Sequence, residues 1–435
     1  MTPARLLVLL YSLALALGTV LLLLPYATRG PAAPFDIAFF TATSAISVTG
    51  LVVVDTHSYW SGFGHLVILA LIQLGGLGIV TLGSIAGLVV SRRLGLSGRR
   101  LAQLESGLDL GDVRHVLRTV LKIAAVVEAT TFVLLTGVFY FLHHAAFPEA
   151  LRLGGFHAIS AFNNSGFSLF SNSLEDYVTD PFICGIVACA VLIGAVGFPV
   201  LTDIRRNHLS PRRWSLHTKL TLSAMGAVLG VSALIFLWFE WTNPATLGEL
   251  QTSGKILASF FNTSMRTAGF SSIDFGQLNE TTQLATIVSM FIGGGSVSAA
   301  GGIKVTTLAL ILLAVITEYR GDQDVTAFRR RIPPEAIRQA VAITLTGVVA
   351  VLTVTMLILA IEKFPLTNTL FEVTSAASIV GLSTGLSGEL NTASRLIITV
   401  LMLLGRLGPM TVGAALMLRE RQRLYRFAQE RPIVG

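Results

Sequence analysis

Apolar residues in this chain gather into long, nearly uninterrupted runs. The first covers residues 6–26, and seven more cover 64–90, 123–142, 181–202, 220–239, 285–317, 340–361 and 396–418. Each is near or above the roughly 20 residues a helix needs to cross a bilayer, so the pattern predicts an all-α integral membrane protein with eight transmembrane spans. A cleavable signal has an apolar region of only about 7–15 residues, so the first run reads as a retained span.

Alternate connections between these spans are not plain loops. Each holds a dozen or so moderately apolar residues, too few to cross, and then a glycine. Aligned on that glycine they read FTATSAISVTGL, FHAISAFNNSGF, SFFNTSMRTAGF and FEVTSAASIVGL. The glycines are Gly50, Gly166, Gly269 and Gly381, separated by 116, 103 and 112 residues. Six places before each stands Ser44, Ser160, Thr263 or Ser375, and one place after stands Leu51, Phe167, Phe270 or Leu382. Phe40, Phe156 and Phe371 lie ten places before three of them. Four unrelated turns would not share a spacing, a pattern and one side of the membrane. The chain therefore reads as four repeats of span, short helix, glycine loop and span, over 1–95, 96–204, 205–320 and 321–435.

A short helix that dips into a membrane aims its negative dipole end at the interior. The chain then returns in extended form, with backbone polar groups that cannot face lipid. Four such segments satisfy one another around a shared water-filled axis, where rings of carbonyl oxygens replace a cation's hydration shell. Glycine at the turning point reaches backbone geometry that a side chain would obstruct. Four pseudo-symmetric repeats around a central cation pore follow.

Composition and charge agree. Hydrophobic residues make up 53% of the 435 and charged ones 13%, with mean hydropathy +0.73, where soluble domains carry about 25% charged residues. Cys184 and Cys189 lie in one apolar run, so they form no disulfide framework. Arginines and lysines cluster after span two (Arg92, Arg93, Arg99, Arg100, Arg114, Arg118), after span four (Arg205, Arg206, Arg212, Arg213, Lys219), after span six (Arg320, Arg329, Arg330, Arg331, Arg338) and in the tail (Arg419 to Arg431). The alternate loops hold only Arg29, Arg152, Lys255, Arg266, Lys363 and Arg395. The positive-inside rule then places both termini in the cytoplasm. The pI of 9.7 thus reflects topology and not nucleic-acid binding. The opposite face carries acids, among them Asp36, Asp55, Glu175, Asp176, Glu240, Asp274 and Glu372, and a negative vestibule concentrates cations.

The motifs SVTGL, FNNSGF, RTAGF and IVGLSTG, with AGGIKVTT and LGRLGPMT further on, resemble the membrane subunits of the Ktr/Trk/HKT superfamily of potassium transporters over essentially the whole chain. Eight spans without two extra N-terminal ones make the chain most similar to the Ktr branch. The resemblance implies a monovalent-cation pore in the cell's inner (plasma) membrane, a homodimer, and a cytosolic ring of nucleotide-binding regulatory subunits. It implies potassium as the transported ion, sodium as a candidate second one, and no covalent cofactor. Carried over residue by residue, it implies a selectivity filter of Val48, Thr49, Gly50 and Leu51; Asn164, Ser165, Gly166 and Phe167; Thr267, Ala268, Gly269 and Phe270; and Ile379, Val380, Gly381 and Leu382. Gly50 favours potassium, because relatives that admit sodium freely often have serine there. Ser165, the Ser378–Ile379 pair and Ala299 depart from the family's usual alanine, Gly-Thr and threonine.

The run at 285–317 is too long for one crossing: 33 residues make a helix of about 50 Å against a hydrocarbon core of about 30 Å. Its glycines and serines, Gly293, Gly294, Gly295, Ser296, Ser298, Gly301 and Gly302, precede Lys304. Irregular backbone at membrane depth is tolerated only where it lines a cavity. Close helix packing through small residues explains the glycines but neither the length nor the lysine. A phosphate loop is excluded, because no GK[ST] follows. A flexible gate below the filter explains all three, and the resemblance implies that use. Arg406 falls mid-span, where a charge costs about 2.5–3.5 kcal/mol on insertion scales, and reads as an electrostatic barrier coupled to the loop. Glu128 reads as a headgroup-level acid near the cytoplasmic boundary. A secondary transporter coupling a solute to sodium or protons is the rival function, but such folds usually show two repeats. No cluster of His, Asp or Ser inside the spans points to an enzyme, and the histidines lack ligand spacing.

Overall fold

The computed structural model describes residues 3–93, 113–207 and 210–418, with side chains omitted at 3–8, 79–93, 113–117 and 408–418. The side chains of Arg92, Arg93 and Arg114, together with Arg99, Arg100 and the tail arginines, lie outside the described residues. The chain runs as four groups of helices. The first is α1 (Pro3–Leu23), the short α2 (Phe35–Ser47) and α3 (Gly62–Arg93). The second is α4 (Val113–Gly137, prolonged by a π-turn over Val138–Leu142), the short α5 (Phe147–Phe162) and α6 (Pro181–Val196), which continues as α7 (Phe198–Asn207). The third is α8 (Leu216–Glu240), the short α9 (Thr252–Ser264), α10 (Glu280–Phe291) and, after an irregular segment, α11 (Val305–Arg320). The fourth is α12 (Pro334–Ile361), the short α13 (Leu366–Ser378) and α14 (Thr392–Leu418). A small hairpin, β1 (Thr326–Ala327) and β2 (Arg330–Arg331), separates the third group from the fourth.

Helix ends follow local chemistry. The Asp180 carboxylate accepts from the amides of Phe182 and Ile183 and is followed by Pro181, a first-turn residue with no amide to satisfy. Ser215 accepts from the Thr218 amide to start α8. Gly321, at φ +71°, ends α11.

The helices pack as a closed ring. Each short helix lies against the first long helix of its own repeat and the second long helix of the repeat before it, and all but the third also against the second long helix of their own. Thus α2 packs on α1, α3 and α14; α5 on α4, α6 and α3; α9 on α8 and α6; and α13 on α12, α14 and α10. Burial differs from that of a water-soluble protein mainly at the surface. The short helices are enclosed although rich in Ser and Thr, with every residue from Phe40 to Gly50 buried, while Leu13, Leu17, Trp238, Tyr319, Leu345 and Met356 face outward. An outward apolar belt, with backbone polar groups enclosed inside, is the arrangement a bilayer requires. Among the described residues, three helices are long and apolar enough to cross a membrane, and the bent pair α6–α7 makes a fourth. This is a multi-pass membrane protein. One expectation needs correction: the run at 181–202 is not a straight span but turns by 96° at Gly197, whose φ is +98°.

Candidate ion-conduction site

The four repeat glycines close on one another. A carbon placed on Gly50 would lie 2.0 Å from the Ser165 carbonyl oxygen, one on Gly166 2.2 Å from Ala268 O, one on Gly269 2.5 Å from Val380 O, and one on Gly381 2.1 Å from Thr49 O. Each glycine thus faces the carbonyl just before the next repeat's glycine, and the fourth returns to the first. Their φ values are +89°, +74°, +72° and +94°, conformations that side chains rarely adopt. Val48, Thr49, Leu51, Asn164, Ser165, Phe167, Thr267, Ala268, Phe270, Ile379, Val380 and Leu382 are all buried around this ring.

The hydroxyls six places earlier are struts. Ser44 Oγ donates to the Leu51 carbonyl at 2.7 Å and accepts from the Gly50 amide; Ser160 Oγ donates to the Phe167 carbonyl at 2.7 Å; Ser375 Oγ accepts from the Gly381 amide at 3.0 Å. In these three repeats a left-handed residue, Val48, Asn164 or Ile379, with φ +61°, +58° or +56°, follows within two residues of the short helix's end. The amides of Thr49, Ser165 and Val380 then reach back to the carbonyls of Ser44, Ser160 and Ser375. The third repeat differs. Its helix tightens into a 3-10 turn over Met265–Thr267, and Thr263 donates to Ser259 within its own helix.

The irregular segment 292–304 lies beside the ring. Its two ends are zipped together: Gly293 N donates to Ile303 O, Ile303 N to Phe291 O and Val305 N to Gly294 O, at 2.7–3.0 Å. Its middle fits the notch where α6 bends into α7, with Gly295 N on Ala195 O, Ala299 N on Gly194 O and Phe198 N on Val297 O. Carbons placed on Gly294, Gly295 and Gly301 would lie 2.5, 2.0 and 2.2 Å from the carbonyls of Ala195, Val196 and Ser378. Gly302 has φ +69°, Ser296 hydrogen-bonds with Thr306, Ser298 donates to Gly295 O, and Lys304 Nζ donates to Ala300 O at 2.7 Å. Arg406, 5% exposed, reaches this segment from α14. One Nη donates to Ala299 O at 2.7 Å and the other to Gly75 O on α3 at 3.0 Å.

Residues 15–422 match the family described as TrkH, cation transport protein. The chain belongs to this family. It is 38% identical to the Ktr system potassium uptake protein B of Bacillus subtilis (strain 168), covering 94% of this chain and 92% of that protein. It is 36% identical to the protein of the same description from Vibrio alginolyticus, over 92% and 88% of the two chains. The crystal structure of the potassium transporter TrkH from Vibrio parahaemolyticus shares the fold, with TM-score 0.74, 18% identity, and coverage of 97% of this chain and 85% of that one.

In this TrkH-family chain several charged residues sit where the run of the sequence did not place them. Glu128, read from the sequence as a headgroup-level acid, is drawn into hydrogen bonds between helices. In α4 both of its carboxylate oxygens accept from Gln73 Nε2 at 3.0 Å and one from Asn163 Nδ2, the side-chain amide at the end of α5. Glu372 and Glu240, expected among the outer acids, are buried. Glu372 accepts from Ser383, Thr384 and Ser387 and so fastens the strand after Gly381. Glu240 accepts from Asn243, Thr246 and Asn279. Asp36 pairs with Arg395 at 3.0 Å. Of the acids that remain, burial with Asp274 and Asp176 close by pushes the Glu175 carboxyl up to about 7. Burial would raise Asp55 too, but the hydroxyls of Ser58 and Ser171 and the amides of His57 and Ser58 hold it below the ordinary carboxylate range. Arg266, expected in an outer loop, is buried against the irregular segment.

Proposed function

We propose that this chain conducts potassium into the cell through the axis enclosed by its four glycine segments. The observation that carries the reading is the closed cycle of glycine-to-carbonyl contacts, because it brings one carbonyl from each repeat to a common axis. Carbonyl oxygens replace a monovalent cation's water without adding fixed charge. The four short helices direct their negative ends at the same place. Potassium as the cargo is supported by what the Bacillus and Vibrio relatives are described as taking up and by glycine, not serine, at position 50.

The segment 292–304 is the gate in this reading. It is irregular, rich in residues without side-chain bulk, and seated directly under Ser378 and Ile379. Arg406 adds a positive charge below the ring and holds the segment through Ala299, so it is both barrier and latch. The eight long helical units are eight membrane crossings, with both termini cytoplasmic in the plasma membrane. The basic face binds a cytosolic nucleotide-dependent regulatory ring, and two copies of the chain form the membrane unit. Sodium is the candidate second ion.

The test is cation flux into liposomes holding the purified chain, with potassium, rubidium, sodium and N-methylglucamine compared. Potassium and rubidium flux above sodium, weakened in preference by Gly50→Ser, supports the filter. Equal flux of all small cations in the wild type refutes it. Deletion of 294–301 and Arg406→Ala should each raise flux, and unchanged flux in either folded variant would remove that element from the gate.

A further inference from the structure

In repeats one, two and four a glycine of the second long helix packs against the carbonyl four places before the ring glycine. Carbons placed on Gly75, Gly194 and Gly405 would lie 1.8, 2.0 and 2.3 Å from the carbonyls of Ile46, Phe162 and Ala377. In repeat three the corresponding stretch of the second helix is where α10 ends and the irregular segment begins. A side chain makes the connection instead. Arg266, 2% exposed and adjacent to the ring residue Thr267, donates through Nη1 to the carbonyls of Ser289 (3.3 Å), Gly293 (3.2 Å) and Ile292. These belong to the last turn of α10 and the residues just after it, where unpaired carbonyls concentrate negative potential.

We infer that Arg266 is a positioning residue that couples ion occupancy of the ring to the hinge of the 292–304 segment. The inference rests on the gate reading above. A buried guanidinium cannot drop its carbonyl partners without leaving charge and dipoles unpaired. When Ile292 and Gly293 move, Arg266 therefore follows, and its backbone continues directly into Thr267, Ala268 and Gly269. The same repeat lacks the hydroxyl strut that pins the other three, since Thr263 is turned to Ser259. Its brace is instead Asn262, whose side chain pairs with Ser272 just beyond the glycine, so the differently held quarter of the ring is the quarter attached to the hinge. Potassium that holds Ala268 and Gly269 in place holds the hinge closed on α10, and an empty ring releases it.

The experiment is amide hydrogen exchange of the full chain in lipid nanodiscs, in potassium and with potassium replaced by N-methylglucamine. The amides of Gly293, Gly295 and Ile303 are bonded within or against the hinge and report its opening. In the wild type, removing potassium should speed exchange over 292–303 by about fivefold or more, the low end of ordinary site-to-site coupling. Arg266→Gln should abolish that ion dependence, and Arg266→Lys should keep part of it. Wild-type exchange indifferent to potassium overturns the inference, and so does full ion dependence in Arg266→Gln. If Arg266→Gln does not fold, the wild-type comparison and Arg266→Lys decide. Flux through the 294–301 deletion is read separately. An unchanged flux there refutes the gate while leaving an ion-dependent hinge standing.

Discussion

The third ring segment and the other three do the same geometric job by different means. In repeats one, two and four a left-handed residue ends the short helix, a hydroxyl six places before the glycine braces the turn, and a glycine of the second long helix closes underneath. Repeat three has a 3-10 turn, a threonine bonded into its own helix, and an arginine that reaches the end of α10. It is also the repeat whose second long helix is interrupted for thirteen residues (292–304). The ring is thus braced by hydroxyls on three sides and tethered by an arginine on the fourth.

The comparison is broken most severely at the glycines. Gly50→Ala and Gly381→Ala each add a carbon close to 2 Å from a neighbouring carbonyl. With positive-φ strain of about 1–3 kcal/mol, potassium flux should fall by about two orders of magnitude. Gly269→Ala meets its neighbour at 2.5 Å in the repeat without a hydroxyl strut and should lose less. Equal losses at all three sites in liposome assays would show that repeat three is no more compliant than the rest.

Glu128→Ala comes next. It strips an acceptor from Gln73 and Asn163 at the end of α5 and should cost about 1–3 kcal/mol of stability, read from thermal unfolding in detergent. Glu128→Gln should recover part of that loss. Smaller still is the strut test. Ser160→Ala removes a bond to the Phe167 carbonyl and should cost about 1 kcal/mol and relax potassium over sodium preference. Thr263→Val removes a bond only within its own helix, should cost a similar amount of about 1 kcal/mol, and should leave preference unchanged. A drop in preference with Thr263→Val would erase the proposed contrast.

The smallest effect concerns the outer contact between repeats two and three, where Leu174 N donates to Ser271 O and Ser173 Oγ accepts from Ser271 N. Glu175 stands there near Asp274, with its carboxyl raised to about 7. A raised acid is neutral below that pH and gains its charge above it. Uptake at low potassium should therefore rise modestly between pH 6 and pH 8, while folding stability falls slightly over the same range. Glu175→Gln should flatten both responses.

Much of this was legible from residues in order. Hydropathy runs mark crossing helices because lipid demands continuous apolar length, and a glycine with a hydroxyl six places earlier marks a repeated turn because both serve local backbone geometry. The excess length of 285–317 announced a break, and the glycines located it. The bend at Gly197 left no such trace, since one glycine inside an apolar run is equally consistent with a straight helix. Nor could charge counting distinguish Glu372, Glu240 and Arg266 from solvated loop residues, because their partners are uncharged hydroxyls, amides and carbonyls. The sequence by itself determined the apolar runs, the membrane class and the four aligned glycines, all set by local chemistry and spacing. Only the tertiary structure decided that the ring closes in the order one, two, three, four, that the irregular segment sits in the notch of α6 and α7, and that Arg266 joins it to the ring. Those are contacts between groups far apart in the chain, and only the packed helices bring them within reach.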